Sequence, residues 1–188
     1  SRGVDCKTVD SRHLVVTDDT FGSANVDIHE TNKRFSEFFK KTNAQFYVMG
    51  GFIGSTHAGI TTTLGRGGSD YTASIAGAAL NAREVEIWTD VDGVMTADPR
   101  KVQQAFPLSE ISYEEAGELA HFGAKVIHPK TMKPARLKGI PIHIKNTFNP
   151  KAKGTKIGNG KAQRSAPIEA ISSLSRIALL HIQSNNGK

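Results

Sequence analysis

One cysteine in 188 residues leaves no internal disulfide to hold a fold together. Cys6 reads as a small, partly buried hydrophobe, and its solitude suits a reducing cytoplasm. Long hydrophobic runs are missing as well. No apolar stretch approaches the roughly 20 residues that a membrane-spanning helix needs, and no basic n-region followed by an apolar h-region marks a signal peptide. No membrane partner is therefore expected. A G-x-x-x-x-G-K-[ST] phosphate loop is absent too. His121 and His128 lack the His-x-x-x-His helical spacing and a third ligand, so a zinc site is excluded and no protein-held metal is expected. Acidic residues are in deficit: 18 Asp and Glu face 24 Lys and Arg, a formal net charge of +6. Part of the excess lies in Lys145, Lys151, Lys153, Lys156, Lys161 and Arg164, a stretch with no Asp or Glu of its own. Aromatics do not alternate with these lysines, so the stretch reads as a solvated linker and not as a nucleic-acid face.

What is present fits an ordinary globular domain, with 38% hydrophobic and 22% charged residues. Leu14, Val15 and Val16 form a short β-like run. Phe35, Phe38 and Phe39 fall at i, i+3 and i+4, the spacing of one buried helical face within residues 32–41. Residues 45–53 (QFYVMGGFI) suit a strand buried on both faces of a parallel sheet. A Gly-rich turn, TTTLGRGGSD, then leads into a small-residue helix from Tyr71, for which Ser69 or Asp70 is a natural N-cap. Residues 84–89 (EVEIWT) read as another buried strand. Ser112 with Glu115 forms a capping box that opens a helix through Phe122, stopped by Gly123. Pro129 suits the first turn of a further helix ending near Gly139, and residues 140–146 (IPIHIKN) suit a strand. Strands alternating with helices predict an α/β domain with a mainly parallel sheet. Residues 151–167 read as the domain edge and a linker. From Ile168 a new β-like pattern begins, the first strand of a second module.

In an open α/β sheet, ligands bind at the carboxyl ends of strands. Three segments place polar groups there. GRGGSD, residues 65–70, couples glycines that let backbone approach a ligand with the N–H groups and positive dipole end of a helix, an anion site to which Arg66 could add a bidentate clamp. A plain structural turn is the competing reading. WTDVDGVMTADPR, residues 88–100, ends a strand at Thr89 and Asp90. Asp92 and Asp98 read either as metal ligands with Asp90 or as turn-formers. FGAKVIHPK, residues 122–130, holds Lys125 between a helix-ending glycine and an apolar pair. His57 lies in a Gly/Ser/Thr loop and reads as exposed. These features reach an anion-binding edge compatible with phosphoryl transfer, where catalysis is mostly positioning and charge stabilisation.

Taken in order, TTTLGRGGSDYTA, WTDVDGVMTADPR, FGAKVIHPKT and IPIHIKNTFNPKAKGTKI resemble the aspartate kinase branch of the amino-acid kinase family, over nearly the whole chain to Gly158. The resemblance implies a three-layer α/β/α fold, an eight-stranded and mainly parallel sheet between helices, with aspartate and MgATP side by side at its C-terminal edge. The activity implied is transfer of the ATP γ-phosphate to the side-chain carboxylate of L-aspartate, the first step of lysine, threonine and methionine biosynthesis. Carried over by motif, Arg66 and Ser69 would hold the aspartate with Phe52 nearby, and Asp70 would orient catalytic lysines. Gly67 and Gly68 would line the reaction centre. Thr89, Asp90, Met95, Arg100 and backbone at Val126 would contact the nucleotide; Met95 stands where many relatives carry tyrosine. Lys125 would meet the transferring phosphoryl group. ATP and Mg²⁺ are the expected cofactors. Residues 1–158 would be the C-terminal part of the kinase domain, 159–167 a linker, and 168–188 the start of an ACT-type regulatory domain. Such domains imply a homo-oligomer and an allosteric amino acid, lysine or threonine. The family's K-F-G-G-T-S segment does not occur among these residues, so the 188 residues alone are expected to lack normal kinase activity. A different superfamily acceptor (glutamate, acetylglutamate or a uridylate) and a regulatory piece without catalysis are the competing readings.

Overall fold

The computed structural model describes residues 3–121, 127–160, 168 and 170–173. In chain order the elements are β1 (Cys6–Val9), α1 (Ser11–Leu14), β2 (Val16–Thr17), α2 (Ile28–Lys41), β3 (Phe46–Met49), β4 (Ile53–Thr56) and β5 (Thr61–Thr63). They continue with α3 (Gly68–Ala79), β6 (Val85–Thr89), β7 (Glu110–Ser112), α4 (Tyr113–His121), α5 (Pro129–Lys138), β8 (Ile142–Asn146) and β9 (Thr155–Gly158). The α/β class and the mainly parallel pairing hold. β1 with β3, β2 with β4, β6 with β8 and β7 with β9 run parallel, while β4–β5 and β8–β9 run antiparallel.

Among the described residues the strands form three hydrogen-bonded sets, of orders β1-β3, β2-β4-β5 and β6-β8-β9-β7, where one sheet was expected. The first break has a visible cause. The β1–β3 ladder would run on as β2–β4, but one chain turns through α1 and the other through Gly50, Gly51 and Phe52, whose φ is +74°. The Ser11 hydroxyl donates to the Gly50 carbonyl, and the Ser55 hydroxyl donates to the Arg12 carbonyl at 2.6 Å, so side chains replace the missing ladder bonds. This is why the strand expected over residues 45–53 stops at Met49.

Two apolar cores organise the packing. Phe35 of α2, Tyr71 and Ile75 of α3, and Val9, Leu14, Val15 and Leu64 form one, with Phe38, Phe39, Tyr47 and Met49 against it. The expected phenylalanine face is therefore core, with Phe39 and Tyr47 edge-to-face at 4.7 Å. The other core joins Ile87 of β6, Ile142 and Ile144 of β8, and Ile157 of β9 to Tyr113, Ala116, Met132 and Ala135 from α4 and α5.

Several local expectations need correction. Cys6 is exposed, because it lies on the outward part of a strand buried only at Val9. Residues 155–158 are a strand with Thr155 and Ile157 fully buried, although the surrounding Lys and Gly suggested linker. Two lysines of that basic stretch find distant acids: Lys145 meets Glu86 at 2.7 Å, and Lys156 meets Glu110 at 2.8 Å. The helix expected through Phe122 is described to His121; Phe122 and Gly123 lie outside the described residues.

The capping box is present. Glu115 N–H donates to Ser112 Oγ at 3.1 Å, and Ser112 N–H donates to the Glu115 carboxylate at 2.8 Å. Ser112→Ala is expected to cost about 1 kcal/mol in urea denaturation, while Glu115→Gln, which still accepts, should keep most of that stability.

Candidate active site

The Gly-rich turn opens α3 at Gly68, three residues before the expected start at Tyr71. Gly67 is the N-cap, at φ +70°, and its side-chain-free backbone places Tyr71 N–H on the Gly67 carbonyl at 2.9 Å. Ser69 and Asp70 thus lie in the first turn rather than at the cap. Ser69 and Arg66 are exposed and Asp70 is half-buried, so all three can face solvent or a ligand. Burial pushes the Asp70 carboxyl up from the usual carboxylate range.

Phe52 lies against this turn. Its backbone is held in a conformation that bulky residues rarely adopt: its N–H donates to Thr72 Oγ1 at 2.9 Å, and its carbonyl accepts from Leu64 N–H at 2.9 Å. Close approach is possible because Gly51 and Gly68 carry no side chains. A Cβ on Gly68 would stand 3.1 Å from the Phe52 Cα, and one on Gly51 would stand 3.0 Å from the Ser69 Cα. Backbone strain of this kind persists where the surroundings over-determine it, and it concentrates at ligand sites. The structure therefore brings Phe52, Gly67, Gly68, Ser69 and Asp70 together, with Arg66 on the same turn.

The N-terminus of α5 closes the other side. A Cβ on Gly67 would stand 2.9 Å from Thr131 Cγ2 and 3.4 Å from His128 Cβ. His128 is the α5 N-cap, its Nδ1 accepting from Lys130 N–H at 3.2 Å, with Pro129 in the first turn as expected. The cap role of His128 escaped the sequence because histidine is not a usual capping residue. Lys130 sits over the Tyr71 ring at 5.8 Å. Lys125 and Val126 lie outside the described residues, three and two positions before His128.

Thr89, Asp90, Met95 and Arg100 share one cavity of about 380 Å³, lined also by Leu119 and Ile171. That volume falls within the range of small-molecule sites, roughly 300–1,000 Å³. Thr89 ends β6 and its hydroxyl donates to the Asp90 carboxylate at 3.2 Å. Arg100 grips Asp98 through Nε at 3.0 Å and Nη2 at 2.9 Å, which with a backbone N–H bond lowers the Asp98 carboxyl to about 2. Asp98 is thus a turn-former tied to Arg100. Asp92 accepts from Asn146 Nδ2 at 2.8 Å and Asn149 Nδ2 at 3.1 Å, which resolves it as structural too. Among the described residues no group of three or more His, Cys, Asp or Glu could hold a metal ion. Ile171 was not foreseen on this wall; its N–H donates to the Thr96 carbonyl at 2.8 Å, a pairing across 75 positions that no local pattern announces. His57 is exposed as expected, with Nε2 3.3 Å from Asp27. No helix among the described residues is long and apolar enough to cross a membrane.

Known proteins are similar to this chain in sequence and fold. The bifunctional aspartokinase/homoserine dehydrogenase 2, chloroplastic, of Zea mays is 42% identical over 186 residues, 96% of this chain and 20% of that one. Lysine-sensitive aspartokinase 3 of Escherichia coli strain K12 is 44% identical over 159 residues, covering 84% of this chain and 35% of that one. The crystal structure of E. coli aspartokinase III with aspartate and ADP superposes with a TM-score of 0.80 at 42% identity, over 86% of this chain and 36% of that chain. The chain spans well under half the length of each of these relatives. A family model described as the amino acid kinase family matches residues 1–146. On that match, together with the α/β fold, the chain belongs to the amino acid kinase family.

Proposed function

We propose that this chain forms part of an aspartate kinase, an enzyme that moves the γ-phosphoryl group of ATP onto the side-chain carboxylate of L-aspartate. The observation that carries the reading is the gathering of Thr89, Asp90, Met95 and Arg100 around one cavity at the end of β6. The strained Phe52 turn, docked on the Gly-rich start of α3, supplies a second polar site. The similarity to aspartokinases, one of them crystallised with aspartate and ADP, supplies the acceptor.

In this reading Arg66 and Ser69 hold the substrate carboxylate that does not react, with Phe52 packed beside it. The reacting carboxylate is ionised at neutral pH and needs no general base. Its oxygen bonds to the γ-phosphorus as the bond to the β–γ bridging oxygen breaks, and ADP leaves. What the protein must supply is relief of repulsion between anions. The free N–H groups of the first turn of α3, beside Gly67 and Gly68 at the reaction centre, and the Lys125 ammonium provide it, and Asp70 orients catalytic lysines. Thr89, Asp90, Met95, Arg100 and the backbone at Val126 hold the nucleotide. Arg100 must exchange Asp98 for phosphate, an exchange between exposed partners that costs little. Mg²⁺ would enter with the nucleotide phosphates and offset their charge, and Asp90 is a carboxylate on the cavity wall that would hold it. We assign residues 1–158 to the kinase domain, 159–167 to a linker and 168–188 to the start of an ACT-type domain. That module would confer a homo-oligomeric assembly and a response to lysine or threonine, in a cytoplasmic enzyme of lysine and threonine biosynthesis. The similarity to the lysine-sensitive aspartokinase 3 of E. coli favours lysine.

ATP-dependent aspartyl hydroxamate formation by the full product of the gene tests the reading. Turnover with aspartate, and little with glutamate, acetylglutamate or uridylate, is the expected result. Preference for another acceptor would overturn it.

A further inference from the structure

The wall of the nucleotide cavity does not support itself. Residues 91–108 leave the sheet after β6 and return at Leu108, meeting where Leu108 N–H donates to the Val94 carbonyl at 2.8 Å and Thr96 N–H donates to the Phe106 carbonyl at 2.9 Å. Beneath that base lies Thr155, the first residue of β9, whose side chain is fully buried. Its hydroxyl is used twice. It accepts from Val94 N–H at 2.8 Å and donates to the Leu108 carbonyl at 2.6 Å, so one oxygen clasps the outgoing and the returning chain.

The fit around it is tight. Gly93 lies directly on the hydroxyl: a Cβ there would stand 2.4 Å from Thr155 Oγ1 and 3.1 Å from its backbone nitrogen. A second tie lies one turn earlier. Asn146, 8% exposed at the end of β8, donates to Asp92 from Nδ2 and accepts from Phe148 N–H at 2.9 Å through Oδ1. Thr147 N–H donates to the Thr89 carbonyl at 2.8 Å. Thr89, Asp92 and Val94 are therefore each tied from below by the β8–β9 segment, while Thr89, Gly93 and Met95 turn toward the cavity.

We propose that Thr155, seconded by Asn146, is a positioning residue for nucleotide binding. It touches nothing in the cavity; it fixes the height of Gly93 and Met95 above the β8–β9 floor. A buried hydroxyl that both donates and accepts has one orientation available, so the clasp is directional in a way that apolar packing is not. Valine has nearly the same shape and cannot replace either bond, leaving the Val94 N–H and the Leu108 carbonyl to find water by letting the loop rise. The consequence should fall on nucleotide affinity and leave the aspartate site, built on Phe52 and α3, untouched.

This inference rests on the nucleotide reading of the cavity, and the test separates the two. MgADP binding is titrated by calorimetry on the full gene product for wild type, Thr155→Val, Thr155→Ser and Thr31→Val. Thr31 is the control: it is fully buried and its Oγ1 accepts Val16 N–H at 3.0 Å, but it lies in α2, away from the cavity. Thr155→Val should weaken MgADP at least about tenfold, with KM for aspartate within about twofold of wild type. Thr155→Ser should return to within about threefold, and Thr31→Val should bind MgADP as wild type does while losing a comparable amount of thermal stability. Wild-type protein that binds no MgADP would overturn the nucleotide reading and this inference with it. Wild-type binding that Thr155→Val retains, or that Thr31→Val loses equally, would overturn the inference alone.

Discussion

Gly154→Ala is expected to destabilise the protein by about 4 kcal/mol or more, lowering Tm by roughly 8–16 °C for a chain of this size. Two effects combine. Gly154 holds φ +73°, a region that costs a residue with a Cβ about 1–2 kcal/mol. The larger effect is collision, because a Cβ on Gly154 would stand 2.0 Å from the Ile144 carbonyl oxygen and 3.1 Å from its carbon. Ordinary contact requires more than a further ångström, and the obstacle is backbone. Ile144 cannot retreat: it pairs with Ile87 on one side and Thr155 on the other, and it is fully buried. Gly139→Ala provides the comparison. Gly139 also has positive φ, +65°, as the C-cap of α5, but a Cβ there meets only the side-chain nitrogen of Asn159 at 3.2 Å. It should cost about 1 kcal/mol, the conformational part alone. Equal urea midpoints for the two variants would show that β8 yields to the intruding methyl group and that the clash argument is wrong.

The contrast between these glycines shows which parts of the molecule could be read in advance. Gly139 announces itself locally, as a glycine ending a helical pattern before Ile140-Pro141. The capping box at Ser112 and Glu115, the phenylalanine face of α2 and the Pro129 helix start are local in the same sense. Each is a relation within four residues, and each was legible. Gly154 and Thr155 are not. Their partners, Ile144, Gly93, Val94 and Leu108, lie across the sheet, the Val94 bond spanning 61 positions and the Asp92–Asn146 bond 54. In sequence the pair sits inside KAKGTKIGNGK, where lysines and glycines hide the alternation of buried Thr155 and Ile157. β1 and β7 were unread because so few of their residues are buried, Val9 in one and Ile111 in the other. For the candidate site, the motifs suggested residues, and only the fold could say which of them share a wall. Asp90, Asp92 and Asp98 look alike as a string. In space Asp90 and Asp98 both line the cavity, the second with its carboxylate bound by Arg100, while Asp92 is held by two asparagines.

Arg66→Ala is expected to lower kcat/KM for aspartate by about 10²–10³-fold, mostly through KM for aspartate, with KM for ATP within about threefold. The size follows from the contact assigned to it. A guanidinium on a carboxylate makes two charge-assisted hydrogen bonds, and losing both costs about 3–4 kcal/mol where the pair is desolvated, at 1.4 kcal/mol per factor of ten. Stability should barely move. Arg66 is exposed and follows Gly65 in a turn whose backbone bond, Gly68 N–H to the Gly65 carbonyl at 3.1 Å, does not involve its side chain. Tm within about 2 °C of wild type is expected. Arg66→Lys sharpens the test, since lysine keeps the charge and loses the planar fork. It should recover no more than about tenfold of the loss, because geometry as well as charge holds the substrate in line. Recovery to near wild type would mean that Arg66 acts as a general positive field. A loss that fell equally on ATP and aspartate would move Arg66 to the nucleotide, and unchanged kinetics in both variants would remove it from the site. The first-turn N–H groups of α3 would then be left to bind the anion alone, a weaker arrangement that leaves no group to read the second carboxylate. Specificity for aspartate over a monocarboxylic acid is therefore the quantity to follow: in wild type it should be large, and in Arg66→Ala it should collapse together with affinity.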